Sequence, residues 1–221
     1  MQTTARLRPL CLGVGLAAGL LMLAACSPTG TVVGGAASAG VAASEERGIK
    51  GAAKDTVIRL KINAAWMAED FDTFGRLNLQ IYEGRVLLSG RVPNQVQADK
   101  AVRAAWRPEG VREVINEIEI AAGSGLKDFA NDTLINARLD ADLLLDDKVY
   151  SINYSTRAVA GTVYLLGVAQ SREELDRVFR IARDVPNVKR VISHVIMRGD
   201  ARRAANPGSK SGGKIQPANR L

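Results

Sequence analysis

Residues 55–120 recur as residues 132–197 at a constant offset of 77. Asp55-Thr56-Val57-Ile58 falls on Asp132-Thr133-Leu134-Ile135, and Gly84 to Gly90 falls on Gly161 to Gly167. Val111 to Ile115 falls on Val188 to Ile192. One offset, held without a gap over the whole length, is the mark of a duplicated module, so the chain must fold as two copies of one small unit.

The apolar periodicity of each copy reads helix, strand, strand, helix, strand. The first helix is expected to begin at an Asp cap, Asp55 or Asp132, and to bury Ile58, Ile62, Ala65 and Trp66, or Ile135, Leu139 and Leu143. Two alternating runs around a glycine follow, Leu77 to Leu88 in one copy and Tyr154 to Leu165 in the other, and alternation about a glycine predicts a hairpin. Gly84, Gly90, Gly161 and Gly167 are assigned as its structural turn glycines. The second helix opens on Ser171-Arg172-Glu173-Glu174, a capping box, and on Asn94 and Gln97 in the first copy. Val114, Ile118 and Ile120, matched by Val191, Val195 and Met197, form the last strand. The fold class is therefore α+β: two tandem αββαβ modules, each a three-stranded mixed sheet with two helices on one face. A unit this small lies near the lower limit for an independent core, so packing of one copy on the other would help both.

The Gly-x-Val-x-Leu-x-Gly hairpin, the capped helix and the Gly110-Val111-Arg112-Glu113-Val114 and Asn187-Val188-Lys189-Arg190-Val191 strands resemble the BON domain. Upstream, Arg6 and Arg8 precede an apolar run at residues 10–25, too short to span a bilayer, which ends in Leu23-Ala24-Ala25-Cys26. That tetrad resembles the lipobox of bacterial lipoproteins. The resemblance implies that Cys26 is lipidated on sulfur, becomes the mature N-terminus and is acylated on nitrogen, with palmitate among its acyl groups. Ser27 after the cysteine points to the outer membrane. Two BON domains behind a lipobox resemble the dual-BON outer-membrane lipoproteins of the DolP type, with the soluble OsmY proteins as relatives. The domain plan is then a signal peptide (1–25), a lipidated N-terminus and flexible tether (26–54), BON domain 1 (55–120), a linker (121–131), BON domain 2 (132–197) and a basic disordered tail (198–221).

The formal net charge of +7 is uneven. Arg6 and Arg8 leave with the signal, and residues 198–221 hold six basic groups against Asp200, so the body is neutral. A nucleic-acid-binding face would need charge on the folded part, and none is indicated. The mature chain has Cys26 as its one cysteine and His194 as its one histidine. No metal site, catalytic residue, cofactor or small-molecule substrate is expected, and no phosphate loop or nucleophile elbow occurs. His194 falls on the face of the last strand shared with Ile192 and Ile196, where a structural role is expected.

The resemblance implies a non-enzymatic periplasmic protein, held at the outer membrane by Cys26, that binds anionic phospholipid or outer-membrane assembly proteins and supports envelope integrity and stress tolerance. In the lipoprotein subfamily the lipid contact lies on the first helix of the second domain. Here that helix offers Leu134, Leu144 and Leu145, off or at the end of the buried stripe, with Arg138 to meet a phosphate. Either these residues form an exposed apolar edge that enters lipid, or they pack against the first module or simply finish the core. A different reading makes the chain a structural or adaptor subunit of an envelope assembly or secretion machine.

Overall fold

The computed structural model describes residues 45–121 and 126–204. The expected signal peptide, Cys26 and tail residues Lys210, Lys214 and Arg220 lie outside the described residues. Module 1 comprises α1 (Gly48–Phe74), β1 (Asn78–Tyr82), β2 (Arg85–Val92), α2 (Gln95–Ala105) and β3 (Glu113–Ile120). Module 2 comprises α3 (Leu126–Leu145), β4 (Tyr154–Val159), β5 (Thr162–Ala169), α4 (Arg172–Asp184) and β6 (Arg190–Met197), followed by a single turn, α5 (Ala201–Ala204). Each sheet is mixed: the hairpin strands pair antiparallel, and the last strand joins β2 or β5 in parallel. Both modules are α+β.

Alternation along the strands separates two kinds of core. Val86 and Leu88 join Ile58, Ile62, Trp66 and Ala101 beneath the helices of module 1. Val163 and Leu165 join Ile135, Leu139, Leu143 and Val178 in module 2. The residues between them point the other way. Tyr82, Leu87 and Ile115 form a third cluster with Val159, Tyr164, Leu166, Val168, Ile192 and Ile196. The two sheets therefore pack face to face and the helices cover the outer faces, giving four layers in the order helix, sheet, sheet, helix.

Charged and amide groups flank this central apolar layer. His194 Nε2 lies 3.0 Å from Glu117 Oε1. Those two residues are counterparts at the 77-residue offset, and counterparts meet only on a two-fold axis, so the duplication has become an internal pseudo-dimer. Arg85 donates to the His194 carbonyl at 2.8 Å and pairs with Glu113 at 2.6 Å. Gln80 donates to the Ser155 carbonyl at 2.8 Å, and Tyr82 Oη donates to Asn153 Oδ1 at 3.2 Å. His194 thus has a structural role between the modules.

Asp55 and Asp132 do not cap their helices, which begin earlier, at Gly48 and Leu126. The Ala- and Lys-containing residues 48–54 and 126–131 are adequate helix formers and extend each helix backward into the expected tether and linker. The two carboxylates anchor the hairpin turns instead. Asp55 accepts from the Glu83 and Gly84 amides at 2.8 Å each. Asp132 accepts from Ala160 and Gly161 at 2.7 and 2.9 Å. Both turns have positive φ at both central residues, 53° and 71° in one copy and 50° and 83° in the other, which is the type I′ pattern that suits twisted strands.

Gly84 and Gly161 are accordingly turn glycines, whereas Gly90 and Gly167 lie inside β2 and β5 rather than in turns. A Cβ on Gly167 would stand 2.0 Å from the Asn153 carbonyl oxygen, and one on Gly90 2.9 Å from Leu77, so they are needed for close passage of the preceding segment. Ser171 and Asn94 cap α4 and α2 as expected, accepting from the Glu174 and Gln97 amides. Residues 198–204, expected in a disordered tail, fold back onto module 1. Arg203 pairs with Glu83 at 2.6 Å and with Glu46 at 3.5 Å, and Arg112 donates to the Arg202 and Arg203 carbonyls. Glu46 belongs to the expected tether, and its amide donates to Asn153 Oδ1 at 2.8 Å, so residues 45–47 are also part of the fold.

Candidate membrane-contact site

Helix α3 is buried along Ile135, Leu139 and Leu143, which hold it against β4 and β5. Its opposite face is apolar as well. Leu134, Leu144 and Leu145 are 68 %, 71 % and 82 % exposed. At 100° per residue they share a face with exposed Ala130, Ala137 and Ala141. The alternative in which these leucines pack on module 1 does not hold, because module 1 meets the other side of the module 2 sheet. Phe129, 69 % exposed, lies about 140° around the helix from Leu134 and so outside this face.

Arg138 borders this face and pairs with Asp142 at 2.9 Å. The pair is exposed and contributes under about 1 kcal/mol, so a phosphate can replace the carboxylate at little cost. The acidic groups near the C-terminal end of α3 are largely satisfied. Asp146 accepts from Arg177 at 2.6 Å and from the Lys148 amide at 3.0 Å, and Asp140 accepts from Thr156. Although partial burial acts in the opposite sense, the hydrogen bonds from Arg177 and Lys148 hold the Asp146 carboxyl below the usual carboxylate range, and it remains charged beside a positive partner.

The first copy repeats the pattern. Val57, Leu60 and Met67 on α1 are 48 %, 64 % and 61 % exposed and are the counterparts of Leu134, Ala137 and Leu144. Trp66 is core: it stacks on Phe74 and donates to the Ala101 carbonyl at 3.3 Å, while Trp106 is half exposed. Among the described residues no cluster of three metal-ligating side chains occurs, and no helix is long and apolar enough to cross a membrane. An exposed apolar helix face bordered by arginine suits adhesion to an interface.

Comparison with known proteins agrees on the architecture. The BON domain family model matches residues 54–122 and again residues 131–199. A protein of Anaplasma centrale, named only for its place in the gshII 5′ region, is 39 % identical over 65 % of this chain and 95 % of its own length. The outer membrane lipoprotein DolP of Haemophilus influenzae is 31 % identical over 73 % of this chain and 83 % of its own. The osmotically-inducible protein Y of Escherichia coli is 33 % identical over 62 % of this chain and 69 % of its own.

Proposed function

Starting from the fact that this chain belongs to the BON-domain family and carries two copies of the domain, we propose that it is a lipid-anchored protein of the bacterial envelope that acts by binding and not by catalysis. Similarity to an outer membrane lipoprotein and to an osmotically-inducible protein supports envelope association. In this reading Cys26 carries the anchor on the periplasmic face of the outer membrane. The α3 face of Leu134, Leu144 and Leu145 lies on anionic phospholipid with Arg138 at headgroup level, and the contact supports outer-membrane integrity under stress.

The observation that carries the proposal is the pair of apolar faces on α3. One face is consumed by the core, and the other leaves three leucines exposed with no described element packed on them. Completing the burial of a leucine contributes about 1–2 kcal/mol at these exposures, so the three together supply about 3–6 kcal/mol toward adsorption. The anchor itself is a separate contribution, since each buried methylene adds about 0.8 kcal/mol. The 18 residues between Cys26 and Glu45 reach at most about 65 Å when extended, ample for the folded part to meet the same leaflet.

Co-sedimentation of residues 27–221 with anionic and with zwitterionic liposomes tests the reading. Binding to anionic liposomes that falls at least tenfold in Leu134→Asp is expected. Equal binding of the variant, or no binding by either protein, overturns it; in the second case contact with assembly proteins becomes the function to pursue.

A further inference from the structure

The two copies of the first helix share an exposed stripe but differ in what stands beside it. Next to Val57 in module 1 a groove of about 1030 Å³ opens between α1, the β1–β2 turn and residues 109–112. Its volume is at the upper end of what one small molecule fills, and unlike the α3 face it is concave. Val57 and Ile58 supply apolar lining, and the groove is bordered by Lys54, Lys61 and Arg112.

Those three cations are unspent. No described carboxylate lies within ion-pairing distance of any of them, and Arg112 hydrogen-bonds only to the carbonyls of Arg202 and Arg203. The other charged lining groups are largely neutralised at home: Arg203 by Glu83 and Glu46, and Asp55 by Arg47 and the turn amides. Glu109 is the one opposing lining carboxylate without such a partner. The charged lining groups, Lys54, Lys61, Arg112 and Arg203 against Asp55, Glu83 and Glu109, sum to one positive charge, and three of the four cations have no carboxylate partner among the described residues. The second copy has lost this arrangement. Asn131 replaces Lys54, and Arg138, the counterpart of Lys61, is paired with Asp142.

We propose that the module 1 groove binds a single-chain lipid with a phosphate head, its alkyl chain along Val57 and Ile58 and its phosphate against Lys54, Lys61 and Arg112. Three cations without carboxylate partners suit a phosphate monoester, which carries about −1.5 to −2 at pH 7, better than a diester. The concavity matches one molecule removed from a bilayer, not the bilayer surface. The site goes beyond the α3 reading and stands without it. Since the helices cover opposite outer faces of the layered fold, a groove ligand and an α3-bound surface occupy different sides of the protein.

The test uses residues 27–221, which retain every described contact, and monododecyl phosphate below its micelle threshold, followed by calorimetric titration. Saturable binding is expected. It should weaken about tenfold in the Lys54→Gln/Lys61→Gln double variant and at least as much in Val57→Asp. It should strengthen between pH 5 and pH 7.5 as the monoester gains its second charge near pH 6. Leu134→Asp should leave it unchanged, which separates failure of this site from failure of the α3 contact. Dodecylphosphocholine binding equally well overturns the proposal. So does inorganic phosphate binding as tightly as the alkyl ester, or affinity that survives the double lysine variant with the fold intact by circular dichroism.

Discussion

Leu166 is fully buried, yet it belongs to the cluster between the sheets and not to the core beneath the module 2 helices. Leu166→Ala therefore removes contacts between modules and leaves the helix-side packing of module 2 in place. Truncation of a fully buried leucine costs about 2–5 kcal/mol, and about 3 kcal/mol is the expectation where neighbours on two separate sheets can close in only partly. With a urea dependence of about 2 kcal/mol/M, the unfolding midpoint should fall by about 1.5 M. The sequence supplies an unusually clean reporter. Both tryptophans, Trp66 and Trp106, lie in module 1, and module 2 has none. If the sheets form one cooperative unit, tryptophan fluorescence will report the full shift from a substitution made in the other module, superimposed on the far-ultraviolet circular dichroism transition. A fluorescence midpoint that stays at the wild-type value while circular dichroism becomes biphasic would refute the reasoning, because module 1 would then be stable without its partner.

Other consequences follow from single contacts. Gly167→Ala, with its Cβ 2.0 Å from the Asn153 oxygen, should cost more than about 3 kcal/mol or prevent folding, as read by thermal melting. Asp55→Ala removes the acceptor of two turn amides and of Arg47, and should lower stability by about 3–5 kcal/mol in urea titration. Asp132→Ala should cost less, because Asp132 is only half-buried and, among the described residues, its carboxylate accepts from the two turn amides alone. Burial pushes the Tyr164 phenol up to about 12. Its folded pKa exceeds the unfolded value near 10, so the stability it contributes is complete below pH 10 and is lost as pH rises toward 12. Ultraviolet titration of Tyr164→Phe should lack one late-ionising phenol and show a smaller loss of stability across that range.

The fold was legible because both its periods and its duplication are local in sequence. Stripes such as Ile135-Leu139-Leu143 and alternations such as Val163-x-Leu165 identify elements without tertiary knowledge, and the constant offset says that the elements recur. Ile192 and Ile196, on the face of β6 away from the helices, already indicated a second buried surface, but nothing in the pattern said that the other module covers it. The role of Asp55 and Asp132 was not legible. An Asp before an apolar run reads as a cap, and only the return of the hairpin turn, 28 residues later for Asp55 and Glu83, shows what the carboxylate holds. The C-terminal turn was hidden for a similar reason: Arg203 looks like one more charge in a basic tail until Glu83 and Glu46 are brought beside it. At the α3 face, Leu134, Leu144 and Leu145 could be singled out as off-stripe residues, but whether they meet water or module 1 depended on which side of the sheet the modules share.

The central claim, that the outer face of α3 enters anionic lipid, is tested most directly with an environment-sensitive fluorophore on a cysteine introduced by Leu144→Cys in residues 27–221, with Arg180→Cys on exposed α4 as the reference. Anionic liposomes should shift the emission at position 144 to the blue, leave position 180 unchanged, and lose the effect when Leu134→Asp is added. Unchanged emission at position 144 in the presence of liposomes that carry the protein down, or the same shift at both positions, would contradict the account.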